Sequence, residues 1–199
     1  MSSKPRDMKD SLVREQGLTY DDYASLPDEG VRYELVNGVL EAMTPAPSPR
    51  HQSVCLMIHH VLMNTCSSDF FIFAAPIDLI LSDSDVRQPD LVMVRRSNAS
   101  ILTRRGIEGV PDLVAEVLSA YSARRDRHGK LRTYAKYAVP EYWIVDAANR
   151  CLEQYVLADG GRYELHQVYL ENDPVQSERL PCVSFTMARI LEAAEGLPD

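Results

Sequence analysis

Pro111-Asp112-Leu113-Val114-Ala115-Glu116-Val117-Leu118-Ser119 is the stretch that decides the fold. It is a short apolar run with one acid in its middle. A strand alternates its side chains between two faces, so Asp112, Val114, Glu116 and Leu118 share one face. An ionised carboxylate there is costly unless a cation meets it. Two readings are open: Glu116 forms a buried ion pair with an Arg or Lys, or it helps to hold a metal. Pro89-Asp90-Leu91-Val92-Met93-Val94 repeats the pattern, with Asp90 at the base of an apolar run. Two such carboxylates on neighbouring strands suit a hard divalent cation, which takes oxygen ligands. The alternative for Asp90 is that it only ends a turn.

The flanking elements follow from periodicity. Residues 51–66 carry apolar side chains at 54, 55, 58, 61 and 62, the stripe of a helix with one buried face. Residues 70–75 and 77–81 read as a strand or strand pair, and Asp83-Ser84-Asp85 as a turn. Residues 88–94 and 111–118 are further strands. Residues 123–138 form a helix with an apolar face of Leu131, Tyr134, Ala135 and Ala138, and 141–146 a buried strand. The order helix, three strands, helix, strand predicts an α/β fold with an α-β-β-β-α-β core. Asn37-Gly38 between apolar runs signals an N-terminal β-hairpin. Asp159-Gly160-Gly161 marks a C-terminal one, followed by a short helix over 187–194. Thr19 with Asp22 approximates a capping box for a short first helix. Thr44 to Pro49 is a proline-rich connector.

At about 150 residues per domain, a chain of 199 residues predicts one domain. We expect it over 18–195, after a flexible polar leader at 1–17 with no apolar signal-peptide core. The apolar fraction of 45% excludes a collagen-like, mucin-like or wholly disordered chain. The net charge of −8 excludes a uniformly basic nucleic-acid-coating protein. The greasiest stretch, 70–81, contains Pro76 and Asp78 and is shorter than the roughly 20 apolar residues of a membrane span, so no membrane partner is expected. Cys55, Cys66, Cys151 and Cys182 show no C-x-x-C spacing and read as reduced, packed thiols of a cytoplasmic protein.

Lys130, Tyr134 and Tyr137 share a helical face, and Lys130 can send its stem toward the sheet to orient or deprotonate a water. The bland alternative is a solvated surface lysine. Between residues 95 and 136 there are ten basic and four acidic residues, a local excess that suits a polyanionic substrate or simply exposed arginines. Arg124, Arg125 and Arg127 are its densest part. Tyr134 and other tyrosines could stack on bases, or belong to the core. His51, Cys55 and His59 are spaced for a zinc site, although their stripe coincides with the apolar face and favours packing. No Gly-rich phosphate loop and no G-x-S-x-G nucleophile elbow occurs.

Several ordered strings then resemble one family. They are Tyr33-Glu34-Leu35-Val36-Asn37-Gly38, His51 at the start of a helix, and Pro89-Asp90-Leu91. Pro111 to Ser119, Asp126-x-x-x-Lys130-x-x-x-Tyr134, Val139-Pro140-Glu141-Tyr142-Trp143-Ile144-Val145-Asp146 and Leu180-Pro181 complete the set. Over roughly residues 18–191 the chain resembles the Uma-two family of restriction-endonuclease-like proteins, in the PD-(D/E)XK nuclease superfamily. The resemblance implies metal-dependent cleavage of nucleic acid, with Asp90 and Glu116 as paired carboxylates. It also implies Glu34 as an additional acidic ligand and His51 as a pocket residue. The superfamily places its Lys two residues after the acid, where this chain has Leu118; Lys130 on the next helix fits the displaced position. Ala120, Ala138 and Cys182 stand where the family usually has Pro, Gly and Gly.

The expectation is therefore a Mg²⁺- or Mn²⁺-dependent endonuclease acting on DNA. Asp90, Glu116 and Glu34 would hold the metal, Lys130 and His51 would act in the pocket, and Arg124, Arg125, Arg127 and Tyr134 would touch substrate. The other readings are a catalytically inactive nuclease-fold module that binds nucleic acid or regulates, and an interaction protein. A homodimer is plausible on any of them.

Overall fold

Residues 16–27, 30–43, 46–119 and 122–198 are described by the structure, a computed structural model. Residues 1–15 of the expected leader lie outside the described residues, as does Ala120. Chain order runs α1 (Tyr20–Ala24), β1 (Tyr33–Val36), β2 (Val39–Ala42), α2 (Pro49–Cys66), β3 (Phe70–Ala74), β4 (Leu79–Ser82), β5 (Asp85–Arg87) and β6 (Leu91–Arg95). A 3₁₀ segment (Arg96–Ile101), β7 (Ile107–Glu108) and β8 (Leu113–Val117) follow. A π-helical turn (Arg125–Lys130) then runs into α3 (Leu131–Lys136), followed by β9 (Glu141–Asp146), β10 (Cys151–Ala158), β11 (Arg162–Tyr169) and α4 (Met187–Glu192).

Among the described residues these strands make two mixed sheets, β11-β10-β9-β8-β6-β3 and β2-β1-β5-β4-β7. The larger holds the expected core order α2-β3-β6-β8-α3-β9. Its β8 and β9 are parallel, which requires a crossover, and α3 supplies it. The departure lies at residues 77–87. There β4 and β5 pair with each other and β5 pairs with β1, so this hairpin leaves the main sheet and builds the second one. An apolar run buried on both faces carries no sign of which sheet it joins, and Leu79 and Ile80 are both buried.

Alternation along β8 divides the interior. Leu113, Ala115 and Val117 pack with Val54, Ile58, Val61 and Leu62 of α2. Val114 faces the other way, toward Tyr134, Tyr142 and Ile144. Glu116 belongs to that second face and is almost fully buried. Asn37 and Gly38 take the positive φ values of 49° and 76° that the two-residue turn requires. The Thr19 capping box is formed.

The cysteines require a correction. Cys66 and Cys182 are disulfide-bonded, and only Cys55 and Cys151 are free thiols, both buried. The partners are 116 residues apart, and the fold alone brings the end of α2 against the segment after Leu180. The expected 123–138 helix is also re-formed. It opens with the π-helical turn, and Ala138 adopts φ 57° after the last helical turn instead of extending the apolar face.

The second sheet is tied to α3 through Asp85. Its Oδ2 accepts from Tyr137 Oη at 2.6 Å and Lys136 Nζ at 3.0 Å, and its Oδ1 accepts from the Asn37 N–H at 3.0 Å. Burial pushes this carboxyl up, but the Tyr137, Asn37 and Lys136 contacts outweigh it and hold Asp85 below its ordinary value of 3.8. A depressed folded value contributes stability above the ordinary value, and that stability is lost as pH falls through the lower one. Asp85→Asn should cost about 1.5–3 kcal/mol at neutral pH. In urea unfolding across a pH series, the gap to wild type should close once the carboxylate is protonated. Ala138→Gly should raise stability by about 1 kcal/mol, because Gly carries no left-handed penalty. An unchanged urea midpoint would show that Ala138 is unstrained.

Candidate functional site

Two strand ends and one helical turn build the site. Leu91 of β6 lies opposite Ala115 of β8, so Asp90 and Glu116 fall at the same end of adjacent strands. Asp90 Oδ2 accepts from the Val117 N–H at 2.8 Å, which anchors it across the strand pair. His51 stands in the first turn of α2, which Ser48 caps by accepting from its N–H. Its Nε2 lies 2.9 Å from the Val117 carbonyl and 3.3 Å from Asp90 Oδ2. Cys55, one turn along α2, places its Sγ 3.6 Å from His51 Nδ1. One ligand atom from each of His51, Cys55 and Asp90 lies within 4.8 Å of the others. His59, the third member of the expected zinc set, instead contacts the Ile72 carbonyl.

Lys130 crosses from the helical turn to the acids. Its Nζ lies 2.7 Å from Glu116 Oε1, 3.6 Å from Asp126 Oδ1 and 3.7 Å from Glu34 Oε1. The Tyr134 hydroxyl donates to the same Glu116 oxygen at 3.0 Å. Asp126 and Lys130 sit on the π-helical turn and Tyr134 on α3, so one face presents acid, ammonium and hydroxyl in succession. Such wide turns recur at functional sites. Tyr137 does not continue that face; it turns to Asp85.

Burial drives the electrostatics. It pushes the Glu116 carboxyl well above the ordinary range; Lys130 works against this, while Asp126 and Asp90 add to it. Burial likewise raises Asp126. Burial opposes the Lys130 charge, but Glu116, Glu34, Asp126 and Asp90 together raise it far above an ordinary lysine. The surrounding carboxylates thus favour the charged form of Lys130. Buried Glu116 is incompletely compensated, and Asp126 Oδ1 is buried without a hydrogen-bond partner. Carboxylate oxygens suit a hard divalent cation, but among the described residues the donor set brought within 4.8 Å is His51, Cys55 and Asp90, without Glu116, Asp126 or Glu34.

Three of the expected site residues meet protein partners. Glu34 is fully buried; it pairs with Arg87 and Lys130 and accepts from the Gln88 N–H. It faces these partners and does not stand at an open rim, since β1 lies inside the second sheet. Tyr134 is fully buried beneath Glu116 and cannot stack on a substrate. Arg127 is engaged by Glu153 and Asp146. Arg124 and Arg125 do border open space, an exposed groove of about 740 Å³ that Arg127, His128 and Arg132 also line. The Arg125 Nε has no hydrogen-bond partner. Sequence reasoning quoted Asp126 within a motif without giving it a site role, and left out Arg87. The i, i+4 spacing of Asp126 and Lys130 signals the first; Arg87 has no local signal because its partner, Glu34, comes from a distant hairpin.

Lys130→Met leaves buried carboxylates facing one another and should cost about 3–5 kcal/mol at neutral pH. In the variant these carboxyls have raised values, so the folded state binds more protons than the unfolded one. The loss should therefore shrink as pH falls. Denaturant unfolding at neutral and mildly acidic pH checks this, and a pH-independent loss would mean that packing alone is involved.

The site can be set beside known proteins. A crystal structure titled as a putative nuclease belonging to DUF820 from Anabaena variabilis ATCC 29413 superposes with a TM-score of 0.72 at 15% identity. The superposition covers 89% of this chain and 99% of that one, which shows a shared fold. The type IIG restriction endonuclease BpuSI gives a TM-score of 0.41 at 12% identity, over 76% of this chain and 17% of that one. No curated protein matches the chain. A family model described as "Uma2: Putative restriction endonuclease" matches residues 20–188, most of the chain, and the protein belongs to that family.

Proposed function

We propose that this protein is a divalent-metal-dependent endonuclease that hydrolyses phosphodiester bonds of DNA. The observation that carries this reading is the buried Lys130 ammonium, held against Glu116 and Asp126 at the strand end that also bears Asp90. Asp90, Glu116 and Asp126 would hold Mg²⁺ or Mn²⁺. Such an ion supplies charge neutralisation at the phosphodiester and acidifies water. Lys130 offers its N–H groups to the negative charge that develops as the P–O bond breaks. Glu34 and Tyr134 keep it and Glu116 in place, and Glu34 is itself fixed by Arg87. His51 orients Asp90. Arg124 and Arg125, which line the open groove, would take flanking phosphates.

The same reading puts the protein with cellular DNA in the cytoplasm, as a homodimer with no membrane contact, although the Cys66–Cys182 disulfide removes the reduced-thiol argument for that compartment. No described helix is long and apolar enough to cross a membrane. The terminal strand β11, with Leu165 exposed, supports pairing between copies.

Nicking of supercoiled plasmid with Mg²⁺ or Mn²⁺, abolished by EDTA, is the expected result; absence of any metal-dependent cleavage overturns the proposal. Glu116→Gln should lower nicking by about 10²–10³-fold. It should also weaken divalent binding in calorimetry, with the urea midpoint equal to or above wild type because a buried charge is removed.

A further inference from the structure

We infer that Cys55 is a metal donor, and that with His51 and Asp90 it makes this centre select a borderline ion of the Zn²⁺ or Co²⁺ class over Mg²⁺. The inference rests on the divalent-metal reading of the same site and deepens it by naming the ion. The family resemblance places a histidine and two carboxylates here and says nothing of residue 55.

The geometry begins with the carbonyl of Val117. A carbonyl only accepts, so the His51 Nε2 that lies 2.9 Å from it carries the hydrogen. The lone pair of the neutral ring is therefore on Nδ1, the nitrogen 3.6 Å from Cys55 Sγ. Zinc bonds of about 2.0–2.3 Å in a tetrahedral shell put neighbouring donor atoms about 3.3–3.8 Å apart. The pair already has that spacing. His51 and Cys55 hold it because they stand four residues apart on α2, where side chains share a face. Coordination through Nδ1 would leave the Nε2–H bond to Val117 intact, the outer-shell partner that ligating histidines ordinarily have. Asp90 is the third candidate donor: one ligand atom from each of His51, Cys55 and Asp90 lies within 4.8 Å of the others, and Asp90 Oδ2 stands 3.3 Å from the imidazole Nε2.

Thiolate and imidazole favour zinc-class ions, whereas Mg²⁺ demands an octahedral oxygen shell. On binding, the Cys55 S–H bond breaks, its proton passes to solvent and the sulfur bonds to the ion. The competing account is that Cys55 is a small packing residue between α2 and the sheet.

Co²⁺ titrated into the metal-free protein separates the two. The expected result is a thiolate-to-cobalt charge-transfer band in the near ultraviolet, bleached by stoichiometric Zn²⁺ and untouched by excess Mg²⁺. The band should be lost in Cys55→Ser and retained in Cys151→Ser, which controls for the other free thiol. X-ray absorption on the wild-type zinc complex should show a sulfur neighbour at about 2.3 Å, whether or not the Cys55 variant folds. Absence of the band and of the sulfur neighbour, or a band that survives Cys55→Ser, overturns the inference. DNA nicking with Mg²⁺ by a protein that shows no sulfur ligation would sink this inference alone. Sulfur ligation with no cleavage by any ion would instead sink the nuclease reading.

Discussion

The contact between Lys130 Nζ and Glu116 Oε1 is the constraint on which the site depends. Both groups are nearly water-free, and neither would tolerate burial alone. Their pairing fixes the distance between the helical turn and the sheet and draws Asp126 and Glu34 to the same ammonium. A buried pair of this kind is a poor source of net stability. Its value is positional: it holds an ammonium against Glu116, 3.6 Å from Asp126 and 3.7 Å from Glu34.

The second sheet serves that arrangement from behind. Glu34 on β1 reaches Lys130 and Arg87, and Asp85 on β5 reaches Lys136 and Tyr137. These contacts hold both ends of the helical segment, one at the site and one at the α3 C-terminus. The Asn37-Gly38 turn matters because Asn37 donates its N–H to Asp85, joining hairpin and helix through one carboxylate. On the opposite side, α2 covers the main sheet and delivers His51 and Cys55 to the strand end where Asp90 lies.

Of the two readings that the sequence left open for Glu116, the structure shows the buried ion pair. Its partner is Lys130, the residue that the family resemblance sets against Leu118. Lys130 and the Tyr134 hydroxyl both meet the same Glu116 oxygen, Oε1. Tyr134 illustrates the opposite case. Its helical position next to Lys130 is compatible with a substrate contact or with burial, and only the depth of the sheet beneath it selects burial.

The sequence by itself determined what local chemistry can encode. Strand period put Glu116 among apolar neighbours, and helix period put Lys130 and Tyr134 on one face. Asn-Gly set a hairpin, and element order set the α-β-β-β-α-β core. Tertiary structure decided whatever depends on pairing between segments distant along the chain. It sent β4 and β5 into a second sheet, joined Cys66 to Cys182, matched Arg87 to Glu34, took Arg127 for Glu153 and Asp146, and brought Asp90 to His51 and Cys55. The physical reason is that periodicity reports which face of an element is buried, whereas the identity of the partner depends on how the chain closes its long loops. No residue's immediate neighbours carry that information.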